Sequence, residues 1–535
     1  MTLDQSSPFK SKTIQVVRDL SYDEQWYLYQ KTRELKEALR TKQPLDQFAL
    51  NDPSIGVYLL FLEDSTRTKE SFRNAAKFHG SKVNDFDGDS SSFKKKENLT
   101  DTIKMLFGYS DFSVFVLRTK TEGVCRWLES SIGNYAQKIG LPKPAFINGG
   151  DGRHEHPTQE YLDEFSFLEQ NKWDRSYIHI ALVGDLFHGR TIHSKVDGLG
   201  IFNQVKVDLI APQEIMMPPH YVKGMIERGY EVTVYESLDE YTRQKANKIA
   251  SIWYFTRLQL ERMGEKLQDK ASYLRKAVTF QKEHMAFIPE HAKFFHPLPR
   301  HSATPTIPMF LDETPLNGWD EQSRNGYFVR INLLGMVTGK LGYDFQGSQS
   351  KKPDYSGTYV QSTEIVPKKK REYKIGIRPV EEGIVIDHIG RGKDPREIWE
   401  HITTIRRLLD LNNVSSHGVY LSESEGIYKG IISVPGDNQT KPVDFQTLAA
   451  VAPGSTVNII ADGKVKEKYR LKMPPRVSQI PGMICKNPDC ISRPELHEPI
   501  YPDFVKSEDD RFLCNYCETP HTFNEIWVQN WSDIS

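Results

Sequence analysis

Two rhythms alternate along the first part of the chain. Unbroken apolar runs, of the kind that fill the interior of a parallel sheet, are each followed by a stretch with apolar residues at helical spacing. Residues 57–62 (VYLLFL) read as a buried strand, and residues 70–80 as a helix ending on a C-cap glycine. A short strand at 82–86 comes next, then a helix with Leu99, Ile103 and Leu106 on one face, a strand at 112–117, a helix through Val124, Trp127 and Leu128, and a strand at 145–148. Pro157 stands where the first position of the next helix is expected. From Tyr177 the same grammar restarts, with strands at 177–183, 205–210, 231–235, 251–255 and 293–296 and a helix over about 321–340. Residues 15–50 read as a helical packing element with a Trp26/Tyr27 and Leu35/Leu39 face. Strand–helix repeats of this kind predict an α/β fold of two doubly wound parallel-sheet lobes.

The rhythm changes at residues 345–372, which are polar and carry the basic run 367–371, a composition expected of a linker with a solvated tether. A strand at 383–389, a helix through Ile398, Ile402, Ile405 and Leu409, and short strands near 429–434 and 455–460 follow. The expected domains are 1–165, 166–344 with its last helix returning to the first lobe, the linker 345–372, an α+β domain at 373–475 and a small zinc-ribbon-like domain at 476–535.

Composition narrows the class. A chain of 535 residues with 38% hydrophobic content can build several cores. A net charge of −1 gives no global signal for nucleic acid or an anionic membrane, and no apolar run approaches a membrane span. The N-terminus has no apolar h-region of a signal peptide. Of five cysteines, four cluster near the C-terminus as Cys485-x₄-Cys490 and Cys514-x₂-Cys517, a pattern that fits a structural Cys₄ zinc site and a reducing cytoplasm. Cys125 stands alone and reads as a small buried apolar residue.

In open parallel sheets ligands collect at the carboxyl ends of the strands. The unusual polar residues fall at those ends: Ser65-Thr66-Arg67-Thr68, a Ser/Lys loop at 88–96, Arg118, and His156 with Gln159. Ser65–Thr68 at a strand-to-helix junction would offer free N–H groups, hydroxyls and a guanidinium fork to a phosphate, or would be an ordinary helix cap with a solvated Arg. Taken together the four ends hold hydroxyls, cations, a His and a Gln, with no carboxylate prominent among them. That set suits an anion whose charge grows during reaction. In the second lobe Arg190 and Arg257 stand at strand ends and would suit a dicarboxylate. His154-Glu155-His156 lacks the i,i+4 spacing of helical zinc sites, and no P-loop is present.

Several of these segments carry a more specific pattern: S-T-R-T-K-x-S-F at 65–72, G-D-G-x-x-x-H-P-T-Q at 150–159, V-G-D-L-x-x-G-R-T-x-H-S at 183–194, T-R-x-Q at 256–259 and H-P-L-P-R at 296–300. The pattern resembles the aspartate carbamoyltransferase family over roughly residues 10–345. The resemblance implies condensation of carbamoyl phosphate with L-aspartate to N-carbamoyl-L-aspartate and phosphate, on the route to pyrimidines. It implies a carbamoyl phosphate site at Ser65, Thr66, Arg67, Thr68, Arg118, His156 and Gln159, with the Leu298-Pro299 backbone holding the carbamoyl amino group. Arg67, Thr68, Arg118 and His156 would carry the chemistry, and Arg190, Arg257 and Gln259 would bind aspartate. A neighbouring subunit would lend Ser91 and Lys95, so the enzyme would be at least a trimer.

Behind the linker, G-x-V-I-D-H-I at 383–389, A-P-x-x-T-V-N-x-I at 452–460 and the cysteine spacing resemble the regulatory chain of the same family. This implies nucleotide effectors such as ATP or CTP at Asp387, Asn458, Ile460 and Lys468. A lysine the family places in the strand at 429–434 is Ser433 here. Two alternatives remain open: an ornithine carbamoyltransferase, whose family has a Cys before the Leu-Pro that follows Pro297 here, and a non-catalytic scaffold or nucleotide sensor on the same fold.

Overall fold

The computed structural model describes residues 7–87, 98–245, 248–259, 269–351, 355, 357–365, 377, 379–409, 411, 416–423, 425–436, 445–507 and 511–527. The chain divides into two compact units. One comprises Met1–Lys351 with Asp489–Ile491 and Leu496–Glu498, and the other comprises the rest of 352–535.

The first unit opens with helix α1 (Tyr22–Arg40), capped by Ser21, whose hydroxyl accepts from the Glu24 N–H while Glu24 reaches back to Ser21. Strands β1 (Ile55–Phe61), β2 (Lys82–Asp87), β3 (Phe112–Thr119) and β4 (Ala145–Asp151) form a parallel sheet in the order β2-β1-β3-β4. All seven residues of β1 are buried, as its unbroken apolar run requires. Helices α2 (Thr66–Phe78), α3 (Leu99–Phe107), α4 (Val124–Ile139) and α5 (Pro157–Gln170) connect or follow the strands. The β1–β3 register sets Phe61 opposite Arg118, and the Leu62 N–H donates to the Arg118 carbonyl at 2.8 Å. The strand end leading to Ser65 and the one bearing Arg118 are therefore neighbours.

A second parallel sheet, ordered β7-β6-β5-β8-β9, is built from β5 (Tyr177–Val183), β6 (Gln204–Ile210), β7 (Glu231–Tyr235), β8 (Ile252–Phe255) and β9 (Lys293–Phe295). Helices α6 (Pro219–Glu227) and α7 (Ala271–Val278) belong to this lobe. Helix α8 (Trp319–Thr338) then packs against α1, α2 and α5, and so returns to the first lobe. Its Ile331 carbonyl meets His79 Nε2 at 2.8 Å. Cys125 is buried.

The second unit holds a six-stranded antiparallel sheet ordered β10-β15-β14-β11-β13-β12, from β10 (Val360–Ser362), β11 (Gly383–Gly392), β12 (Ser416–Ser422), β13 (Ile427–Pro435), β14 (Thr456–Ala461) and β15 (Lys464–Leu471). Helix α9 (Pro395–Leu408) buries Ile398, Ile402 and Ile405, the face read from their spacing, and α10 (Phe445–Val451) follows β13. A small sheet ordered β16-β17-β18-β19 uses β16 (Arg476–Ser478), β17 (Asp503–Lys506), β18 (Phe512–Cys514) and β19 (Pro520–His521).

Within 345–372 the chain does more than connect. The Ser348 N–H donates to Asp23 Oδ2 at 2.8 Å, Ser350 Oγ donates to the Asp19 carbonyl at 2.8 Å, and β10 pairs with β15. The basic run at 367–371 lies outside the described residues. Among the described residues no helix is long and apolar enough to cross a membrane.

One backbone constraint bears directly on how the second lobe is built. Gly184, just past β5, has φ +121°, and a Cβ there would meet the Thr256 carbonyl oxygen at 2.4 Å and its Oγ1 at 2.7 Å. Only glycine tolerates both demands. Gly184→Ala is expected to lower the stability of the first unit by about 1–3 kcal/mol, measured as an earlier unfolding transition in denaturant; an unchanged midpoint would contradict this account.

Candidate active site

Helix α2 begins at Thr66, four residues earlier than its apolar spacing indicates, so Ser65–Thr68 form the helix start itself. The Ser65 hydroxyl makes no capping bond. Plain capping therefore does not explain Ser65, and Arg67 is not merely solvated, since it donates to the Leu298 carbonyl. This helix start lines a cavity of about 1700 Å³ between the two parallel-sheet lobes, and the N–H groups of a helix's first turn have no partner within the helix. Partial enclosure lowers the Arg67 guanidinium to about 10.

The same cavity is lined by Ser65, Thr66, Arg67, Thr68, Arg118, His156, Gln159, Arg190, Arg257, Gln259, Leu298 and Pro299. Six separate chain segments supply them. Arg118 NH1 donates to the Gly149 carbonyl at 3.0 Å, and Arg190 NH1 to the Gly152 carbonyl at 2.9 Å. Gly150 makes this approach possible. Its φ is +111°, and a Cβ there would lie 2.7 Å from Arg118 NH1 and 3.4 Å from Arg190 Cζ. The Gln259 N–H donates to Asp185 Oδ2 at 3.2 Å, which anchors the segment bearing Arg257. Ser91 and Lys95 lie outside the described residues.

His156 is 4% exposed, and its Nε2 is 3.3 Å from Thr68 Oγ1. Its N–H is held by Ser194 Oγ at 3.2 Å. Burial, then the positive charges of Arg118, Arg330, Arg190 and Arg67, hold the imidazole well below the usual histidine range. It is therefore neutral at physiological pH, with one N–H to place. His296 is pushed down to about 3 by burial and by Arg300, Arg67 and Arg257. Its Nδ1 accepts the Leu298 N–H at 2.7 Å.

Three residues outside the motifs belong to this site. The reading of the strand ends as free of a prominent carboxylate does not hold, because Glu63 stands in the cavity. Its Oε2 lies 3.0 Å from Arg190 NH2 and 3.4 Å from Arg118 NH2, bridging the two lobes. Glu63 is two residues before Ser65, so its position at the strand end was the available signal. Arg330, on α8, donates to Ser71 Oγ at 2.8 Å and Thr158 Oγ1 at 3.3 Å. Burial lowers it to about 9. A lone charge between Val329 and Ile331 was the sign in the sequence. Gln322, also on α8, accepts the His296 N–H at 2.9 Å. Seven Arg and Lys side chains and three carboxylates line the cavity, so it suits anions.

In the second unit Asp387, Asn458 and Lys468 fall on three neighbouring strands. Val385 pairs with Asn458, and Asn458 with Lys468. Asp387 Oδ1 accepts from Tyr420 OH at 2.7 Å and from the His388 N–H at 2.8 Å. Ile460 follows two positions after Asn458 on β14, and Ser433 is buried.

Cys485, Cys490, Cys514 and Cys517 converge with their sulfurs within 4.8 Å of one another, all four buried. Cys485 Sγ and Cys517 Sγ are 3.6 Å apart. Sulfurs at the corners of a tetrahedron with bonds of about 2.3 Å sit about 3.8 Å apart, so this donor set fits a single metal ion. Arg476 clamps Asp503 with two bonds of 2.8 and 2.6 Å, and the Asp503 carbonyl takes the Asn515 N–H at 2.8 Å, which steadies the Cys514 loop.

Comparisons with known proteins cover the same regions. Family models match as the carbamoyl-P binding domain (residues 12–169) and the Asp/Orn binding domain (176–336) of aspartate/ornithine carbamoyltransferase. The aspartate carbamoyltransferase regulatory chain matches through its allosteric domain at 375–472 and its metal binding domain at 475–527. Protein PyrBI of Thermotoga maritima is 52% identical over 97% of this chain and 99% of its own. The Treponema denticola protein of the same name is 49% identical over 97% and 98%. Among solved structures, aspartate transcarbamoylase of Trypanosoma cruzi in complex with carbamoyl phosphate and aspartate is 27% identical, with a TM-score of 0.52, over 62% of this chain and 98% of that one. The chain belongs to the aspartate carbamoyltransferase family, with catalytic and regulatory sequences joined in one polypeptide.

Proposed function

We propose that the cavity performs the carbamoyl transfer mainly by holding two anions together and stabilising the charge that develops between them. As an aspartate carbamoyltransferase the protein joins carbamoyl phosphate and L-aspartate on the route to pyrimidines. The observation that carries the assignment of roles is the convergence of twelve candidate residues from six segments on one cationic cavity. The aspartate amine attacks the carbamoyl carbon, the new C–N bond forms, the C–O bond to phosphate breaks, and the amine gives up a proton. Thr68, Arg118 and neutral His156 face the carbonyl oxygen, where negative charge grows. The α2 N-terminus and Arg67 take the phosphate. Arg190, Arg257 and Gln259 take the two carboxylates of aspartate. Gln159 and the Leu298-Pro299 backbone accept from the carbamoyl amino group. Fixing both substrates can contribute on the order of 7–11 kcal/mol.

Ser91 and Lys95 of a neighbouring copy complete the phosphate side, so the working form is at least a trimer. Zinc is the metal of the four cysteines, since a buried Cys₄ tetrahedron is its usual structural site. A reducing cytoplasm suits this reading, because the thiols must stay reduced to hold it. Nucleotide effectors such as ATP or CTP would meet Asp387, Asn458, Ile460 and Lys468, with Ser433 leaving one cation fewer for their phosphates.

Arg67→Ala should lower turnover by at least about a hundredfold in a chain that still folds, and mixing it with Lys95→Ala chains should restore activity above either alone. Near-normal turnover in the single variant would remove Arg67 from the mechanism, and no recovery on mixing would remove the shared site. Metal analysis should find about one zinc per chain, and chelation should abolish hydrogen-exchange protection in β16–β19; strands still protected after stripping would count against a structural metal. Turnover at subsaturating aspartate should change on adding ATP or CTP, and Lys468→Ala should blunt the change; identical curves with and without either nucleotide would dismiss the effector site.

A further inference from the structure

Beneath the cavity floor lies a buried polar group that the proposed roles do not use. Asp163, on α5, is fully buried. Its Oδ1 accepts from two carboxamides at once, Gln159 Nε2 at 2.8 Å and Gln322 Nε2 at 2.6 Å. Its Oδ2 accepts from Lys195 Nζ at 2.8 Å. Lys195 is equally buried, bonds Glu160 as well, and lies 4.2 Å from the centre of the Tyr254 ring. Burial pulls the Lys195 ammonium down, but the Asp163 and Glu160 carboxylates more than offset it and hold it above its ordinary value. The cation thus keeps its charge beside Asp163.

Asp163 fixes how the two glutamines face it, while the backbone N–H groups of His296 and Leu298 donate in any case. Asp163 Oδ1 accepts from both carboxamides, so each glutamine turns its amide nitrogen toward it and its carbonyl away. For Gln159, the carbonyl is then the end left for the cavity it lines. For Gln322, the carbonyl accepts the His296 N–H at 2.9 Å. His296 Nδ1 in turn accepts the Leu298 N–H at 2.7 Å, and the Leu298 carbonyl faces Arg67. One carboxylate therefore orients the Gln159 acceptor directly, and it anchors Gln322, which is bonded in turn to the His296–Leu298 segment.

We propose that Asp163 is a positioning residue that makes the site read an amino group on the acyl phosphate, through the orientation it imposes on Gln159 and the anchor it gives Gln322. The inference rests on the assignment of Gln159 and Leu298 to the carbamoyl amino group. The ligand class it selects is a mixed anhydride of carbamic and phosphoric acids, with an N–H₂ to donate, over an acyl phosphate with a methyl group in that place. Discrimination of this kind comes from acceptors that would be left unpaired by the wrong ligand.

Asp163→Asn tests it. Lys195 demands an acceptor, so the new amide must turn its oxygen to Lys195 and its NH₂ to the glutamines. Gln159 then reverses and presents a donor to the cavity, while Gln322, whose carbonyl still has to accept the His296 N–H, loses its bond to residue 163. Carbamoyl phosphate affinity should fall about tenfold to a hundredfold, while affinities for acetyl phosphate and inorganic phosphate stay within about threefold of the starting protein, all measured by calorimetric titration of the full chain. Equal loss for all three ligands would mean that Asp163 only supports the fold, and no loss in a folded variant would mean that it orients nothing; either overturns the proposal. If Asp163→Asn does not fold, Gln322→Met cuts the His296 arm alone and should narrow the carbamoyl-over-acetyl preference with phosphate binding intact, an unchanged preference being the overturning result. A starting protein that binds acetyl phosphate as tightly as carbamoyl phosphate would instead refute the assignment of Gln159 and Leu298 to the amino group.

Discussion

Guanidinium groups gathered around one cavity repel each other, and much of the first unit is arranged to make that repulsion bearable. Arg67, Arg118, Arg190 and Arg330 all act on His156 and keep it neutral. Each is tied down by something that neutralises or accepts. Arg118 and Arg190 share Glu63 and take the carbonyls of Gly149 and Gly152. Arg67 takes the Leu298 carbonyl, and Arg330 takes two hydroxyls. The electrostatic complement of such a cavity is a multiply charged anion, and both substrates of the family are that. Preorganised cations of this kind do no reorganising as charge moves, which is the efficient way to lower a barrier.

The cations sit above an equally costly floor. Burying Lys195 with Glu160, Asp163 and Glu164 carries a desolvation penalty that only good geometry offsets. Burial raises Glu160 to about 7, and burial together with the neighbouring Glu160 pushes Glu164 well above its ordinary range. Glu160, Asp163 and Glu164 lie on α5, whose first turn carries Gln159 just after His156. A single helix thus links the substrate-facing groups to the buried charges, and rigidity in one is conferred on the other. Hydrophobic packing of the same volume would cost less, but it would leave the Gln159 side chain free to turn.

Joining the regulatory sequence to the catalytic one makes their ratio one to one in every chain. The family's regulatory features are retained unevenly. The four cysteines converge with geometry suited to a metal, and Asp387, Asn458 and Lys468 share neighbouring strands. Asp387 already bonds Tyr420 and the His388 N–H, and Ser433 is buried within β13.

Apolar rhythm determined much of this molecule in advance. Runs buried on both faces must be interior strands of parallel sheets, which placed the strand ends, and cysteine spacing marked a metal domain before any coordinates. Motif residues at those ends were legible because they interrupt the rhythm. Glu63 and Arg330 were less so: each is one charge in an ordinary context, and its part in the site depends on partners up to about 260 residues away in the chain. The start of α2 at Thr66 was likewise beyond a periodicity argument, since its first turn carries polar residues facing the cavity. Above all, tertiary structure alone decided what Gln322 meets, whereas Gln159 meets Asp163 one turn along the same helix. An amide's orientation is set by the charge it meets, and Asp163 and Gln322, 159 residues apart, meet only in the folded chain.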